Sequence, residues 1–338
     1  MEPIPLVRVS IVLPFTKFLD QIGAPTEQLL RKAHLPSISL DDQESLVPLN
    51  QCFAFAELAA RSQGVEHLGL MLGEQTNLSH LGNFGAIVLQ SLTLHDLIQK
   101  FMQFHSTLLS GEKIWLTEDE EYLWLHHQYT VPHHITTYQG KCFALLMYIN
   151  VIRLGAGLHW QPDRLHIPTD KNTALSSATC FSNTQIYANQ PTYAFRFPKA
   201  LLSKPLALKL SSLSAQTSAN HLTSTAPATD LKNSLCQLIQ VLLPQGEFSL
   251  NIAAEAAGVS ARTFQRRLED YNLNYSQLVD QVRFEQAVNR LQDPSRPLIE
   301  IAFDLGYSDA ANFTRAFKRW TGVSPREFRR LHLHKTSL

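Results

Sequence analysis

The spacing of apolar positions changes along the chain. Leu94, Leu97, Ile98 and Phe101 fall three and four apart, and Thr93 with Asp96 supplies the cap such a helix needs. Phe53, Ala56 and Ala60 mark an earlier helix. Ile114-Trp115-Leu116 and Tyr122-Leu123-Trp124-Leu125 flank an acidic turn, Glu118 to Glu121, and predict a hairpin. From Ser211 to Thr229, nine of nineteen residues are Ser or Thr and few are bulky and apolar. Such a stretch buries little surface against its ordering cost and reads as a linker. Beyond it the pattern is nearly all helical. The expectation is an α+β chain: a mixed α/β domain over 1–210, a Ser/Thr-rich linker over 211–230, and an all-α domain over 231–338.

The helical part repeats itself. Ala253-Ala254-Glu255-Ala256-Ala257-Gly258-Val259-Ser260 precedes Phe264, Arg266 and Leu268. Ile301-Ala302-Phe303-Asp304-Leu305-Gly306-Tyr307-Ser308 precedes Phe313, Arg315 and Phe317. The offset is 48 residues to the serine and 49 from the phenylalanines onward, so one extra residue lies near the second turn. Each copy is a short apolar helix, a glycine for a positive-φ turn, one apolar plug, a capping residue and a second helix. Ser260 suits the first cap, and Ser308 or Asp309 the second. This is the layout of a helix-turn-helix, whose second helix enters the major groove. Tyr275 to Gln292 forms the helix between the copies, with Leu278, Val282, Ala287 and Leu291 on one stripe. At 1.5 Å per residue it spans about 27 Å, enough to hold two recognition helices in successive major grooves.

The outward positions carry base-reading chemistry. Arg262, Thr263, Gln265 and Arg266 in the first copy, and Ala311, Asn312 and Arg315 in the second, are the expected base contacts. Arg grips guanine in bidentate fashion, and Asn or Gln does so with adenine. Ser260, Arg267, Ser308, Thr314, Lys318, Arg319 and Arg326 are the expected phosphate contacts.

Composition narrows the alternatives. The 338 residues suit two domains, and 44% hydrophobic residues exclude wholesale disorder. Lys and Arg balance Asp and Glu at 29 each, so attraction to nucleic acid must be local. Residues 228–338 carry a net +2 and residues 1–227 a net −2. The run Phe143 to Leu158, broken by Asn150 and Arg153, is too short and polar to span a membrane. The start lacks the pattern of a signal peptide. The four cysteines are scattered and form no CxxC pair, which fits a reducing cytoplasm. His126-His127 cannot chelate as a unit on a strand, nor can His133-His134, so no metal site is expected. No nucleophile elbow, Walker loop, HExxH or dinucleotide fingerprint is present, so no catalytic residue, enzyme activity or cofactor is expected.

From Phe248 to Arg330 the chain resembles the AraC/XylS family of bacterial transcription regulators. The resemblance is carried by Ile301-Ala302, Leu305-Gly306-Tyr307-Ser308, Asn312 to Lys318 and Thr321-Gly322-Val323-Ser324-Pro325-Arg326-Glu327-Phe328-Arg329. A looser likeness, over His67-Leu68-Gly69-Leu70, Gly82-Asn83-Phe84-Gly85 and Tyr193 to Pro198, resembles the arabinose-binding-type sensor domain of part of that family. The resemblance implies double-stranded promoter DNA and RNA polymerase as partners, an activating output, a homodimer and an unknown small-molecule effector. Phe84, Phe101, Trp115, Trp124 and Arg153 are the expected effector pocket. The alternative is an effector-independent regulator whose N-terminal domain dimerises or binds proteins.

Overall fold

The structure, a computed structural model, describes residues 2–36, 38–169, 175, 178–206, 219–246 and 248–333. The chain divides into two compact units. One comprises Pro5–Leu35 and Asp42–Pro227; the other comprises Ala228–Leu338 with Met1–Ile4 and Pro36–Asp41.

The first unit is built from α1 (Leu13–Gln21), α2 (Thr26–Lys32), α3 (Leu49–Gln63), α4 (Leu68–Gln75), α5 (Gly82–Val88), α6 (Leu94–Leu108), α7 (Tyr138–Ala156) and α8 (Ala219–Ser224). Strands β1 (Leu6–Arg8) and β2 (Leu46–Pro48) form an antiparallel ribbon. A five-stranded sheet follows the order β3 (Glu112–Glu118), β4 (Tyr122–Tyr129), β7 (Tyr193–Pro198), β5 (Arg164–His166), β6 (Gln185–Tyr187). Only the β5–β6 pair of this sheet is parallel.

Helix α6 starts where the sequence places its cap, with the Thr93 hydroxyl accepting from the Asp96 amide at 3.3 Å. The apolar run from Phe143 belongs to α7 as far as Ala156, and the helix residues from Cys142 to Ile149 are all buried. It is a core helix, and no described helix is long and apolar enough to cross a membrane. Helix α4 packs on α7 through glycine. A Cβ on Gly69 would stand 2.0 Å from the Gln139 carbonyl oxygen, and one on Gly73 would stand 2.8 Å from the Leu146 Cβ. The hairpin β3–β4 turns at the acidic segment, and its strands run longer than the apolar runs that predicted them. Leu125 lies between Leu116 and Phe195 and faces the core. Its neighbour His126 lies on the opposite face, in a row that crosses all five strands: Trp115, His126, Ala194, His166 and Tyr187.

The expected linker over 211–230 needs correction where it is described. Ala219–Ser224 is helical, Leu222 is fully buried, and α8 packs against α5 and α6. One well-placed leucine outweighs the hydroxyl-rich composition around it. Residues 211–218 lie outside the described residues.

The second unit is helical: α9 (Leu231–Leu242), α10 (Leu250–Ala256), α11 (Ala261–Asp270), α12 (Tyr275–Leu291), α13 (Leu298–Asp304), α14 (Ala310–Thr321) and α15 (Pro325–Leu333). Side chains cap several of them. Asp230, Ser249, Ser260, Asn274 and Asp309 each accept from an amide three residues on. Leu278, Val282, Ala287 and Leu291 are all buried, so the stripe of the connecting helix faces inward. In the second half, Ala287, Leu291, Ile301, Ala302, Leu305, Phe313 and Phe317 make one core.

Candidate nucleic-acid interface

Helices α10 and α11, and α13 and α14, form two pairs with matching turns. Gly258 and Gly306 stand at φ +67° and +72°, where a side chain would be strained. In each turn the amide after the glycine donates to the carbonyl five residues back, Val259 to Ala254 at 3.0 Å and Tyr307 to Ala302 at 2.9 Å. The turns then differ. Ser260 follows its plug directly and caps α11. In the second turn Ser308 intervenes, and Asp309 is the cap. This is the extra residue that shifts the repeat from 48 to 49.

On α11, Phe264 and Leu268 are buried, while Arg262, Gln265 and Arg266 are exposed together. Gln265 donates to Glu269 at 3.1 Å, one turn on. Thr263 is half-buried, and its hydroxyl accepts from Ser260 at 3.0 Å. Arg267 is half-buried at the edge of the same helix.

On α14, Phe313 and Phe317 face the core, and Ala311, Arg315 and Lys318 are exposed. Asp309, Asn312 and Arg315 form a chain. The Asn312 amide nitrogen donates to Asp309 at 2.6 Å, which turns its carbonyl oxygen toward Arg315. Arg315 donates to that oxygen from Nη2. The hydrogen bond from the Asn312 backbone, above all, holds the Asp309 carboxyl below its ordinary range. Asn312 thus orients an arginine from an ionised cap.

The residues expected at phosphate divide into two groups. Ser260, Ser308, Lys318 and Arg326 are exposed. Thr314 spends its hydroxyl on the Ala310 carbonyl at 2.7 Å. Arg319 is exposed but pairs with Asp280 at 3.2 Å. Arg329, near Arg326, donates to the carbonyls of Pro294 and Arg296. Glu269 was findable from its spacing to Gln265; Asp280 lies 39 residues from Arg319 and gave no local signal.

The five residues expected to line an effector pocket do not converge. Phe84 and Phe101 are core, edge to face at 5.4 Å. Trp115 stacks on His126 at 5.1 Å, and Trp124 meets His166 at 4.3 Å, both on the outer sheet face. Arg153 donates to the Trp160 carbonyl at 2.9 Å and to Asn150 at 3.0 Å. Strand alternation explains the failure, because it separates Trp124 from the core face one residue away. Two concavities of this unit lie elsewhere. One is apolar, lined by residues such as Cys52, Phe53, Tyr129, Phe143, Met147 and Tyr148, with a volume of only about 40 Å³. The other, about 240 Å³, lies between α1 and the end of α4 and is lined by Leu13, Pro14, Lys17, Phe18, Gln21, Leu72, Gln75, Thr76 and His80.

Next to the apolar cavity sits a buried polar cluster. Glu112 lies 3.0 Å from His127 and 3.3 Å from His105, and Tyr148 donates to it at 2.7 Å. Burial alone would raise the Glu112 pKa, but its hydrogen bonds to the two histidines and their charge hold it down at about 2.

Two helix-turn-helix pairs, each with exposed arginine on its second helix, define a DNA-binding transcriptional regulator. Residues 253–331 match the helix-turn-helix domain family. Residues 23–206 match the family described as the arabinose-binding domain of AraC transcription regulator, N-terminal. The chain belongs to the AraC family of transcription regulators, which is not a family of enzymes. It is 28% identical to the ornithine utilization regulator of Pseudomonas aeruginosa, over 96% of each chain. It is 23% identical to the transcriptional regulator VirS of Mycobacterium tuberculosis, over 97% of this chain and 98% of that one. Against the regulator VqsM of P. aeruginosa the identity is 42%, over 26% of this chain and 27% of VqsM.

Proposed function

We propose that this regulator reads a promoter with both recognition helices and answers to a small molecule bound in its N-terminal unit. The observation that carries the DNA half is the exposed set Arg262, Gln265, Arg266 and Arg315, with half-buried Asn312 beside Arg315, on the second helices of two matched pairs. Size points to the effector site. The apolar cavity is far below the ~150 Å³ that holds a benzene ring. The cleft between α1 and α4 is larger and joins an apolar floor at Phe18 and Leu72 to polar groups at Lys17, Gln21, Gln75 and His80. An effector alters promoter occupancy only by binding two states of the protein unequally. Activation through RNA polymerase, a homodimer and a cytoplasmic location complete this reading, on family resemblance.

One observation favours a second reading. The outer sheet face carries Trp115, Trp124, Tyr122 and Tyr187 among stacked histidines, a surface suited to protein contact rather than solvent. In that case the N-terminal unit dimerises or docks without any effector. Native mass spectrometry of the full-length protein, set against a denatured spectrum, separates the two. Mass lost on denaturation supports the effector; a dimer carrying no extra mass supports the interaction module. For the DNA half, fluorescence anisotropy on duplexes selected from a random library should show sequence-specific binding that weakens steeply with salt.

A further inference from the structure

The two helix-turn-helix pairs are joined by more than helix α12. Arg283, in the middle of α12, donates from Nε to the Leu305 carbonyl at 3.0 Å and from Nη2 to the Gly306 carbonyl at 3.2 Å. These carbonyls lie just past Asp304, the last residue of α13, where the helix dipole favours a cation. The same guanidinium lies 4.3 Å from the ring centre of Tyr307, the plug of the second turn. It lies 4.5 Å from the ring centre of Phe248, just before the first pair. One cation therefore touches an aromatic ring from each half.

The surroundings leave it little freedom. The Tyr275 hydroxyl donates to the Phe248 carbonyl at 2.7 Å and fixes the backbone that carries that ring. A Cβ on Gly306 would stand 2.6 Å from the Leu243 carbonyl oxygen and 2.8 Å from the Phe248 ring. The second turn is thus seated directly on the segment leading into the first pair.

We infer that Arg283 is a positioning residue that sets the phase between recognition helices α11 and α14, and so the spacing of the two DNA elements they read. The inference rests on both helices entering DNA. The lever is long: α12 is 17 residues, or about 26 Å. A rotation of ~10° at its middle displaces an end by about 2 Å, more than half of the ~3.4 Å rise of one base pair. A lysine at 283 keeps the charge but cannot fork two carbonyls or lie flat between two rings.

The test uses full-length protein and a duplex selected from a random library by the wild type. Versions of it carry one scrambled half-element, or one base pair added or removed between the halves. For Arg283→Lys we expect at least tenfold weaker binding to the selected duplex and a shallower salt dependence. Binding to the half-scrambled duplex should match wild type, and the penalty for changed spacing should shrink. Phe248→Leu, which keeps the apolar volume, should show the same pattern with a smaller change and serves where Arg283→Lys melts early. Equal proportional losses on intact and half-scrambled duplexes, or none on either, overturn the inference. Should wild-type binding ignore the scrambling, the two-helix reading itself fails.

Discussion

The guanidinium of Arg8 donates to the carbonyl oxygen of Leu222 at 3.2 Å, across 214 residues of sequence. Its other bonds reach Thr225 Oγ1, the Thr107 carbonyl, and both the carbonyl and the carboxylate of Glu44. Five N–H groups meet five acceptors in a fully buried setting. The first strand of the N-terminal unit thereby holds the last turn of α8. Arg8→Met keeps apolar volume but orphans three backbone carbonyls. It should lower the unfolding free energy by about 3 kcal/mol, read from urea denaturation. Limited proteolysis should cut near Ser224 earlier in the variant; an unchanged cleavage pattern would show that α8 is held by Leu222 alone.

Glu112 predicts an acid limb in stability. Its folded pKa of about 2 lies below its ordinary 4.5. A carboxyl shifted that way stabilises the fold above the unfolded value and loses that stabilisation as pH falls from 4.5 toward 2. Thermal melts of wild type and Glu112→Gln should differ most above pH 4.5 and converge toward pH 2. Curves that stay parallel through that window would mean that Glu112 is not ionised in the fold.

Asn312 and Arg315 should behave as one unit toward DNA. Arg315→Ala is expected to cost roughly 1–3 kcal/mol at the specific site and to relax the preference for one base. Asn312→Ala should cost nearly as much, because it releases the arginine. A double-mutant cycle should then give strongly non-additive losses. Arg266→Ala should resemble Arg315→Ala at the other half-element. Lys318→Ala should weaken all sequences evenly and lower the salt slope by about one. Footprints unaltered in both arginine variants would overturn the groove assignment.

The cysteines should be silent in the folded protein. Burial raises the Cys142 thiol to about 12 and the Cys180 thiol to about 11, and Cys52 higher still. Cys236 is half-buried and also raised by burial. Since the thiolate is the reactive form, a chromogenic disulfide reagent at pH 8 should titrate at most Cys236 slowly. All four should react once urea unfolds the chain.

The DNA-reading half was legible because its signals are local. A glycine, a plug and a capping residue within three or four positions fix each turn, and the whole device is written twice. The contacts that join its parts were not legible. Arg283 meets Phe248 and Gly306 from 35 and 23 residues away, and no periodicity links them. In the N-terminal unit, hydroxyl-rich composition hid the burial of Leu222. The aromatic residues were visible, but a strand pattern does not say which face of a sheet is closed. Trp115 and Trp124 lie on the outer face, and the wider cleft is lined by Lys17, Gln21, Gln75 and His80, polar residues that no shared spacing marks out.

The close seating of α4 on α7 has a genetic consequence. Every codon change that replaces a glycine adds at least one carbon. At position 69 that carbon would fall 2.0 Å from a backbone oxygen, and at 73 within 3 Å of a neighbouring helix. Neither site has a conservative allele. In a library of random missense variants, these two codons should be as depleted as those for the recognition arginines, though they lie in the other unit and belong to no binding surface described above.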